Sequence, residues 1–356
     1  MTLQPTTLNS TAPVSTNEEA MAVSEKSALY GLQRNCRIFD DNAFNICLDI
    51  SSQSGNVEPW FDPILEAAAR WERIITGDPW GPWTKDILEY LPENNIATRL
   101  PGRGVDDIYI SVFERNIDGE GGLFALAGPD LIVGDENSIV AGSIQIDPND
   151  LAVALEKNVF LPLMLHEIGH VLGVGTMWED HGLIDNVEQT YIGPHALEAW
   201  HNKVGCSGNL PLSGNHWNED CVDDEFMTPF FKFNRPAPVS SLTLGALEDL
   251  GYQVNRDEED PFGVENLGEC DASACPEATN HIRRLESQDN TTTIENKLSL
   301  NGERAVLVAA ASHFQRKSVG VDANKSSHNV VSLLYQENGN FHSRIVSKSQ
   351  TADLLI

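Results

Sequence analysis

The sequence predicts an α+β fold, made of a twisted mixed sheet, a helix that carries paired histidines, a loop-rich C-terminal subdomain and a closing helix. Three observations support this prediction. Apolar stretches of strand length precede residue 147, apolar residues recur at helical spacing between 160 and 173, and Gly, Pro, Asn and Asp are frequent from 174 to 240. With 41% hydrophobic residues among 356, the chain can bury a sizeable core.

The first half of the main domain is predicted to alternate strands and helices. Residues 44–51 alternate apolar and polar side chains like a half-buried strand, and residues 63–76 place an apolar stripe on one helical face. Two more strands are expected over 106–113 and 138–146, and a helix is expected over 149–157.

The helix with the paired histidines is expected over residues 160–173, because Pro162 fits its first turn and Gly173 ends it. A closing helix over 242–250 follows a serine that can cap it, and Gly251 terminates it.

Three regions are predicted along the chain. Residues 1–32 are polar and rich in Thr and Ser, so we expect a flexible lead-in. Residues 33–255 form the main domain. Residues 256–356 read as an acidic linker and a polar tail, in which Asn338-Gly339 between two apolar runs predicts a small β-hairpin.

The composition excludes some classes of partner. A formal net charge of −30 means that phosphate backbones and anionic lipids repel the chain, so nucleic acid is not expected as a partner. No run of about 18 apolar residues occurs, so no transmembrane segment is expected either.

Six cysteines fall into three pairs of sequence neighbours. Short loops close at the lowest entropic cost, so we predict three local disulfides, with six free buried thiols as the alternative. Disulfides persist in oxidising compartments, which indicates an extracellular or cell-surface protein. No signal peptide is visible in the first 30 residues, so either a leader is missing from this chain or export is unconventional. The predicted pairs are Cys36–Cys47, Cys206–Cys221 and Cys270–Cys275.

Residues 166–170 form an H-E-x-x-H motif, which this composition would produce by chance about 0.02 times. On a helix, His166 and His170 lie one turn apart on one face and can bind the same metal ion. Glu167, beside them, can act as a general base towards a water on that ion. The alternative is a core helix with two hydrogen-bonded histidines, but an apolar stripe already supplies its packing face: Leu163, Leu165, Ile168 and Leu172.

Zinc suits two imidazoles with a third protein ligand and one open position. The compact pattern H-E-x-x-H-x-x-G-x-x-H would place that ligand at Thr176, and a threonine is not a convincing one. His195 and His201 lie on a predicted surface helix, where we expect their imidazoles to be solvated. His181 lies in a loop near the end of the helix that carries the H-E-x-x-H motif. His216 precedes Met227, where Met-Thr-Pro predicts a tight turn. The candidates are therefore His181, His195, His201 and His216.

The ordered runs HEIGHVLGVGTMW, GNHWNED, FMTPFF and SSLTLGALEDLGY resemble the leishmanolysin-like metzincin peptidases, whose third histidine is displaced by an insertion. The resemblance covers roughly residues 40–255. It implies a metzincin-like zincin fold and a zinc endopeptidase in which His166, His170 and His216 bind one catalytic Zn²⁺. Glu167 would be the base and Met227 the Met-turn. The chain departs from the family in having six cysteines and no long pro-region.

For an endopeptidase, the substrate is a peptide or protein. We expect the strand over 138–146 to lie at the edge of the sheet and to pair with an extended peptide. The segment Pro229–Pro238 would shape the pocket for the side chain that follows the cleaved bond. Two alternatives remain: a non-catalytic, metal-stabilised adhesion or binding module, and a hydrolase of other bonds.

Two acidic stretches are given plain structural interpretations. The segment Asp118–Gly122 resembles a fragment of a calcium loop, but it lacks EF-hand spacing, and an ordinary Gly-rich turn is favoured. The acidic residues between 220 and 225 are expected to form a solvated face, namely Asp220, Asp223, Asp224 and Glu225.

Overall fold

The computed structural model describes residues 43–52, 58–77, 107–133, 137–232, 236–268, 270 and 275, together with the backbone of 304–305, 330–337 and 340–347. Its elements confirm the α+β class and a mixed sheet. None of the helices in these ranges is long and apolar enough to cross a membrane.

The largest sheet has the strand order β1-β3-β5-β4-β13-β14. Strands β1, β3 and β5 run parallel, β4 is antiparallel to β5, and β13 and β14 form an antiparallel pair. The first three strands are buried along almost their whole length, which explains their nearly continuous apolar sequences. The strands are β1 (Ile46–Ser51), β3 (Ile108–Glu114), β4 (Ala125–Val133), β5 (Ser138–Ile146), β13 (Val330–Glu337) and β14 (Asn340–Ser347).

The predicted position of residues 138–146 at the edge of the sheet is wrong, because β5 lies between β3 and β4. Strand β4 lies beside it, and β13 pairs with the other edge of β4 over residues 131–133. Sequence reasoning missed β4 because Gly128-Pro129-Asp130 reads as a turn. The strand tolerates Pro129 through a shift in register between Pro129 and Leu131.

Two helices build the core around this sheet. Helix α1 (Glu58–Ile74) packs against α3 (Phe160–Val171), which also packs against β4 and β5. Trp71 of α1 is buried, and its indole N–H donates to the backbone carbonyl of Leu165 over 2.9 Å. Helix α1 ends earlier than predicted because residues 75–77 form the short strand β2 (Ile75–Gly77), which pairs with β11 (Gln253–Val254).

The region from 174 to 240 contains short elements joined by loops, as predicted. Strands β6 to β9 form a small antiparallel sheet, and helix α4 (Pro194–Ala199) continues as a π-helix over Trp200–Val204. The other short elements are α2 (Leu151–Glu156), β6 (Ile184–Asp185), β7 (Thr190–Tyr191), β8 (Leu210–Ser213), β9 (His216–Trp217), α5 (Glu219–Val222), β10 (Phe231–Lys232) and β12 (Arg304–Ala305).

The closing helix α6 (Ser241–Asp249) is confirmed, with Ser240 as its N-cap. It packs closely on α4, as shown by Gly245, where a Cβ would lie only 2.6 Å from the backbone nitrogen of Ala196.

The segment that follows residue 255 also packs against the domain, since Leu267 and Cys275 are both buried.

The predicted pairs Cys206–Cys221 and Cys270–Cys275 are wrong. The structure joins Cys206 to Cys275 and Cys221 to Cys270, with Cα–Cα distances of 4.4 and 4.3 Å. The segment after α6 returns to the loop region, where the Gly268 N–H donates to the Cys221 carbonyl over 2.8 Å. The cysteine pairing is therefore determined by where the segment after α6 packs, and not by distance along the sequence. Both disulfides are compatible with an extracellular protein.

The third predicted pair involves Cys36, which lies outside the described residues. Cys47 is itself disulfide-bonded and buried in β1.

Candidate metal centre

Helix α3 carries His166, Glu167 and His170, and all three side chains are almost completely buried. The four-residue spacing puts both imidazoles on one face, with ring centroids 4.6 Å apart. The helix is apolar on most sides, so these polar side chains lie inside the domain rather than on a solvated surface.

The third histidine of the site is His216, which lies in β9 and is 4% exposed. Its ring is 4.7 Å from that of His170 and 5.2 Å from that of His166. One potential ligand atom of each histidine lies within 4.8 Å of the other two. The three residues could therefore hold one metal ion.

Backbone carbonyls fix the orientation of the imidazoles. Nδ1 of His166 lies 2.6 Å from the Phe226 oxygen, and Nδ1 of His170 lies 2.9 Å from the Val174 oxygen. A carbonyl can only accept, so each Nδ1 carries the proton and each Nε2 carries a lone pair.

The other ring nitrogens, the Nε2 atoms, are not bonded to backbone carbonyls among the described residues. Nε2 of His170 lies 3.0 Å from Nε2 of His216, while Nε2 of His166 is buried with no hydrogen-bond partner among the described residues. An orphaned, buried nitrogen is costly, and a cation between the three rings would satisfy it.

The electrostatics favour the neutral form that binds metals. Burial lowers the pKa of His170 to about 4. Burial, with the charge of neighbouring histidines as a smaller cause, places the pKa values of His166 and His216 well below the ordinary value. At neutral pH all three imidazoles are uncharged, and no proton competes with a metal ion for Nε2.

Glu167 is fully buried, and neither carboxylate oxygen has a hydrogen-bond partner within the described part of the chain. Burial raises its pKa to about 8. At neutral pH this shift favours the protonated acid while no cation is near. A cation held by the three histidines would favour the carboxylate, which is then available for proton transfer.

Two glycines bring the third histidine to the helix. Gly173 has a φ of 101° and Gly175 a φ of 80°, both in the left-handed region. A Cβ at residue 175 would overlap the carbonyl oxygen of Asn215, directly before His216. Sequence analysis identified Gly173 as a helix end but missed Gly175, whose role depends on a contact 40 residues away in the chain.

Met227 lies beneath helix α3 and is fully buried. A Cβ at Gly169 would lie 2.9 Å from the Met227 sulfur, so this glycine permits the close approach. The Trp217 N–H donates to the Met227 carbonyl over 3.2 Å, which joins the turn to the strand of His216.

Glu225 holds this turn in place, contrary to the predicted solvated face, because it is only 1% exposed. Its Oε2 accepts from the Met227 N–H at 2.6 Å, and its Oε1 accepts from the hydroxyls of Ser240 and Thr243, each at 2.7 Å. The Thr243 hydroxyl also accepts from the Trp217 indole N–H. Burial raises the pKa of Glu225 to about 7, and its hydrogen bonds lower it in part.

The other candidate ligands lie elsewhere. Nδ1 of His195 is 2.8 Å from the Asp249 carboxylate, and Nε2 of His201 is 2.7 Å from the Gly208 oxygen. His181 does not belong to the cluster of potential ligands. Thr176, at the compact ligand position, donates its hydroxyl to the His170 carbonyl over 2.6 Å.

Comparison with protein-family models gives no match for this chain, and comparison with curated proteins gives none at the significance required.

Proposed function

We propose that the chain is a zinc-dependent endopeptidase of the leishmanolysin-like metzincin type, with His166, His170 and His216 as zinc ligands and Glu167 as general base. The observation that carries the proposal is the convergence of three buried imidazoles, with one potential ligand nitrogen of each within 4.8 Å of the other two. The ordered sequence runs around these residues, ending at Met227 and helix α6, support the family assignment.

The donor set suits zinc. Three nitrogen donors match the three protein ligands typical of catalytic zinc sites, whereas Ca²⁺ and Mg²⁺ prefer oxygen. The hydrogen bonds from Nδ1 to backbone carbonyls are the outer contacts that fix the tautomer and orientation of metal-binding imidazoles. When bound, zinc would polarise the scissile carbonyl and make water more acidic.

Glu167 supplies the proton transfer that peptide hydrolysis requires. Its carboxylate accepts a proton from the attacking water and passes it to the nitrogen of the leaving amine as the C–N bond breaks. The lack of partners for both oxygens supports this role, because no hydrogen bond within the described residues has to break first.

The substrate would be an extended peptide. Strand β4 packs on α3, and among the described residues β13 pairs only with positions 131–133 of it, so residues 125–130 replace β5 as the part of the sheet with which a peptide would pair. The Phe231 ring lies 5.5 Å from the His166 ring. Phe231 also lines a small depression, together with the apolar residues 230, 236 and 237 and the acidic residues 223–225. This surface suits the side chain that follows the cleaved bond. The two disulfides support action outside the cell.

A non-catalytic, metal-stabilised binding module is the second candidate, because the complete burial of the three histidines also suits a structural metal site. Against it stands Glu167, since a structural site has no use for a buried carboxylate without partners.

A peptide-library digest with the full-length protein and its Glu167→Gln variant separates the candidates. We expect cleavage by the wild type, loss on chelation and recovery on adding zinc. The variant should bind zinc normally but lose about 10²–10⁴-fold of the turnover, because an amide cannot take the proton. A zinc-loaded wild type that cleaves no peptide, or a variant with wild-type turnover, would refute the proposal.

A further inference from the structure

A second cluster of potential metal ligands lies outside the histidine site. The loop between β3 and β4 meets the segment that follows β5, and backbone hydrogen bonds join Arg115 to Ile146 and Asp147 to Phe124. At this junction, one carboxylate oxygen each of Asp118, Asp147 and Asp150 lies within 4.8 Å of the other two. All of its potential ligand atoms are oxygens.

Asp147 is fully buried, and both of its carboxylate oxygens accept hydrogen bonds. Its Oδ2 accepts from the backbone N–H groups of residues 117, 118 and 119 at 2.9 to 3.1 Å, and its Oδ1 accepts twice from Asn149. These hydrogen bonds hold a buried carboxylate in a fixed position within the cluster.

Asp150 carries the decisive observation. It is 1% exposed, and its Oδ1 accepts from the Gly121 N–H at 2.6 Å, but its Oδ2 is buried without a hydrogen-bond partner among the described residues. A buried carboxylate oxygen without a donor, beside two other carboxylates, is destabilised unless a cation compensates it.

We infer that Asp118, Asp147 and Asp150 bind a divalent, oxygen-seeking cation of the Ca²⁺ class, at a site separate from the three histidines. Ca²⁺ accepts irregular sets of carboxylate ligands, whereas Mg²⁺ demands a nearly ideal octahedron. The Gly-rich turn interpretation of Asp118–Gly122 describes the backbone correctly, since Gly119 and Gly121 have φ values of 93° and 82°. It does not account for Oδ2 of Asp150, which is buried and has no donor among the described residues.

A cation bound at this site would link the loop before β4 to the segment that follows β5. Asp118 is exposed and lies on the loop, whereas Asp147 and Asp150 are fixed at the end of β5 and the start of α2. A cation shared by both segments stabilises only the folded chain, and the free energy of unfolding rises with the cation concentration. The inference does not depend on the proposed peptidase activity.

Calorimetric titration of Ca²⁺ into the full-length protein tests this inference. The protein is first treated with a chelating resin, which removes both kinds of ion, and is then reloaded with one equivalent of zinc. We expect one Ca²⁺ per chain with a Kd between about 10⁻⁶ and 10⁻³ M, and weaker binding of Mg²⁺. Thermal unfolding should move to higher temperature as Ca²⁺ is added, at constant zinc.

Three variants make the result specific. Asp150→Asn and the exposed Asp118→Asn should each weaken Ca²⁺ binding about tenfold or more. Glu66→Gln removes one exposed charge from helix α1 and should bind like the wild type. Since Asp118 is exposed, its variant should fold even if Asp150→Asn does not. No saturable Ca²⁺ binding below 10 mM (roughly ten times the weakest expected Kd), or equal binding by wild type and Asp118→Asn, would overturn the inference.

Discussion

Replacing Glu225 with alanine should destabilise the protein and loosen its metal site together. The carboxylate accepts hydrogen bonds from the Met227 N–H and from the hydroxyls of Ser240 and Thr243, all of them buried. Each buried donor left without an acceptor costs about 1–3 kcal/mol. A partial offset comes from removing a carboxylate whose pKa is raised to about 7 by burial. We expect a net loss of about 3–5 kcal/mol.

The same substitution should weaken zinc binding. Phe226, between Glu225 and Met227, provides the carbonyl that accepts the Nδ1 proton of His166. Loss of such an outer contact typically lowers metal affinity about 10–100-fold.

Urea unfolding at pH 7 and competition for zinc with a chromogenic chelator measure the two effects of Glu225→Ala. Asp220→Ala is the matched control, because Asp220 is an exposed acid in the same segment. A Glu225→Ala protein within 1 kcal/mol (about the value of a single hydrogen bond) of the control, with equal zinc affinity, would refute the role assigned to Glu225.

Two further predictions concern the sheet and the disulfides. Burial raises the pKa of Asp130 to about 7 from 3.8, so wild-type stability falls as the pH rises between these values. In the Asp130→Asn variant, the decrease in the free energy of unfolding between pH 4 and pH 8 should be smaller than in the wild type by about 2–4 kcal/mol, as measured by urea unfolding. Equal decreases in the two proteins would contradict the prediction. Non-reducing peptide mapping should find Cys206–Cys275 and Cys221–Cys270. A peptide that links Cys206 to Cys221 would contradict the fold of the C-terminal segment.

The parts of the site that depend on local spacing could be predicted from the sequence. His166 and His170 lie on one face of a helix because they are four residues apart, and a helix of that length was evident from the apolar pattern. His216 could be identified as a candidate by its position before Met227. Its selection over His181 required the resemblance to a known family.

The parts that depend on long-range contacts could not be predicted. Glu225 looks like one of several solvated acids in the sequence, and only the return of α6 supplies its buried donors. Gly175 is needed because Asn215 approaches it in space.

The disulfides show the same limit of sequence reasoning. The observed pairs enclose 69 and 49 residues. In the chain-entropy model, each disulfide raises the free energy of the unfolded chain by about 4 kcal/mol, which is more than a pair of sequence neighbours would. Ease of loop closure was therefore the wrong criterion, because it ignores where the segment after α6 packs.

The zinc content of three full-length proteins tests the metal centre most directly. Elemental analysis of the wild type, His216→Ala and His181→Ala, each dialysed against the same zinc buffer, gives the number of ions per chain. We expect one zinc in the wild type and in His181→Ala, and close to none in His216→Ala, because the loss of one of three protein ligands weakens zinc binding strongly. Full zinc content in His216→Ala, or loss of zinc in His181→Ala alone, would contradict this expectation.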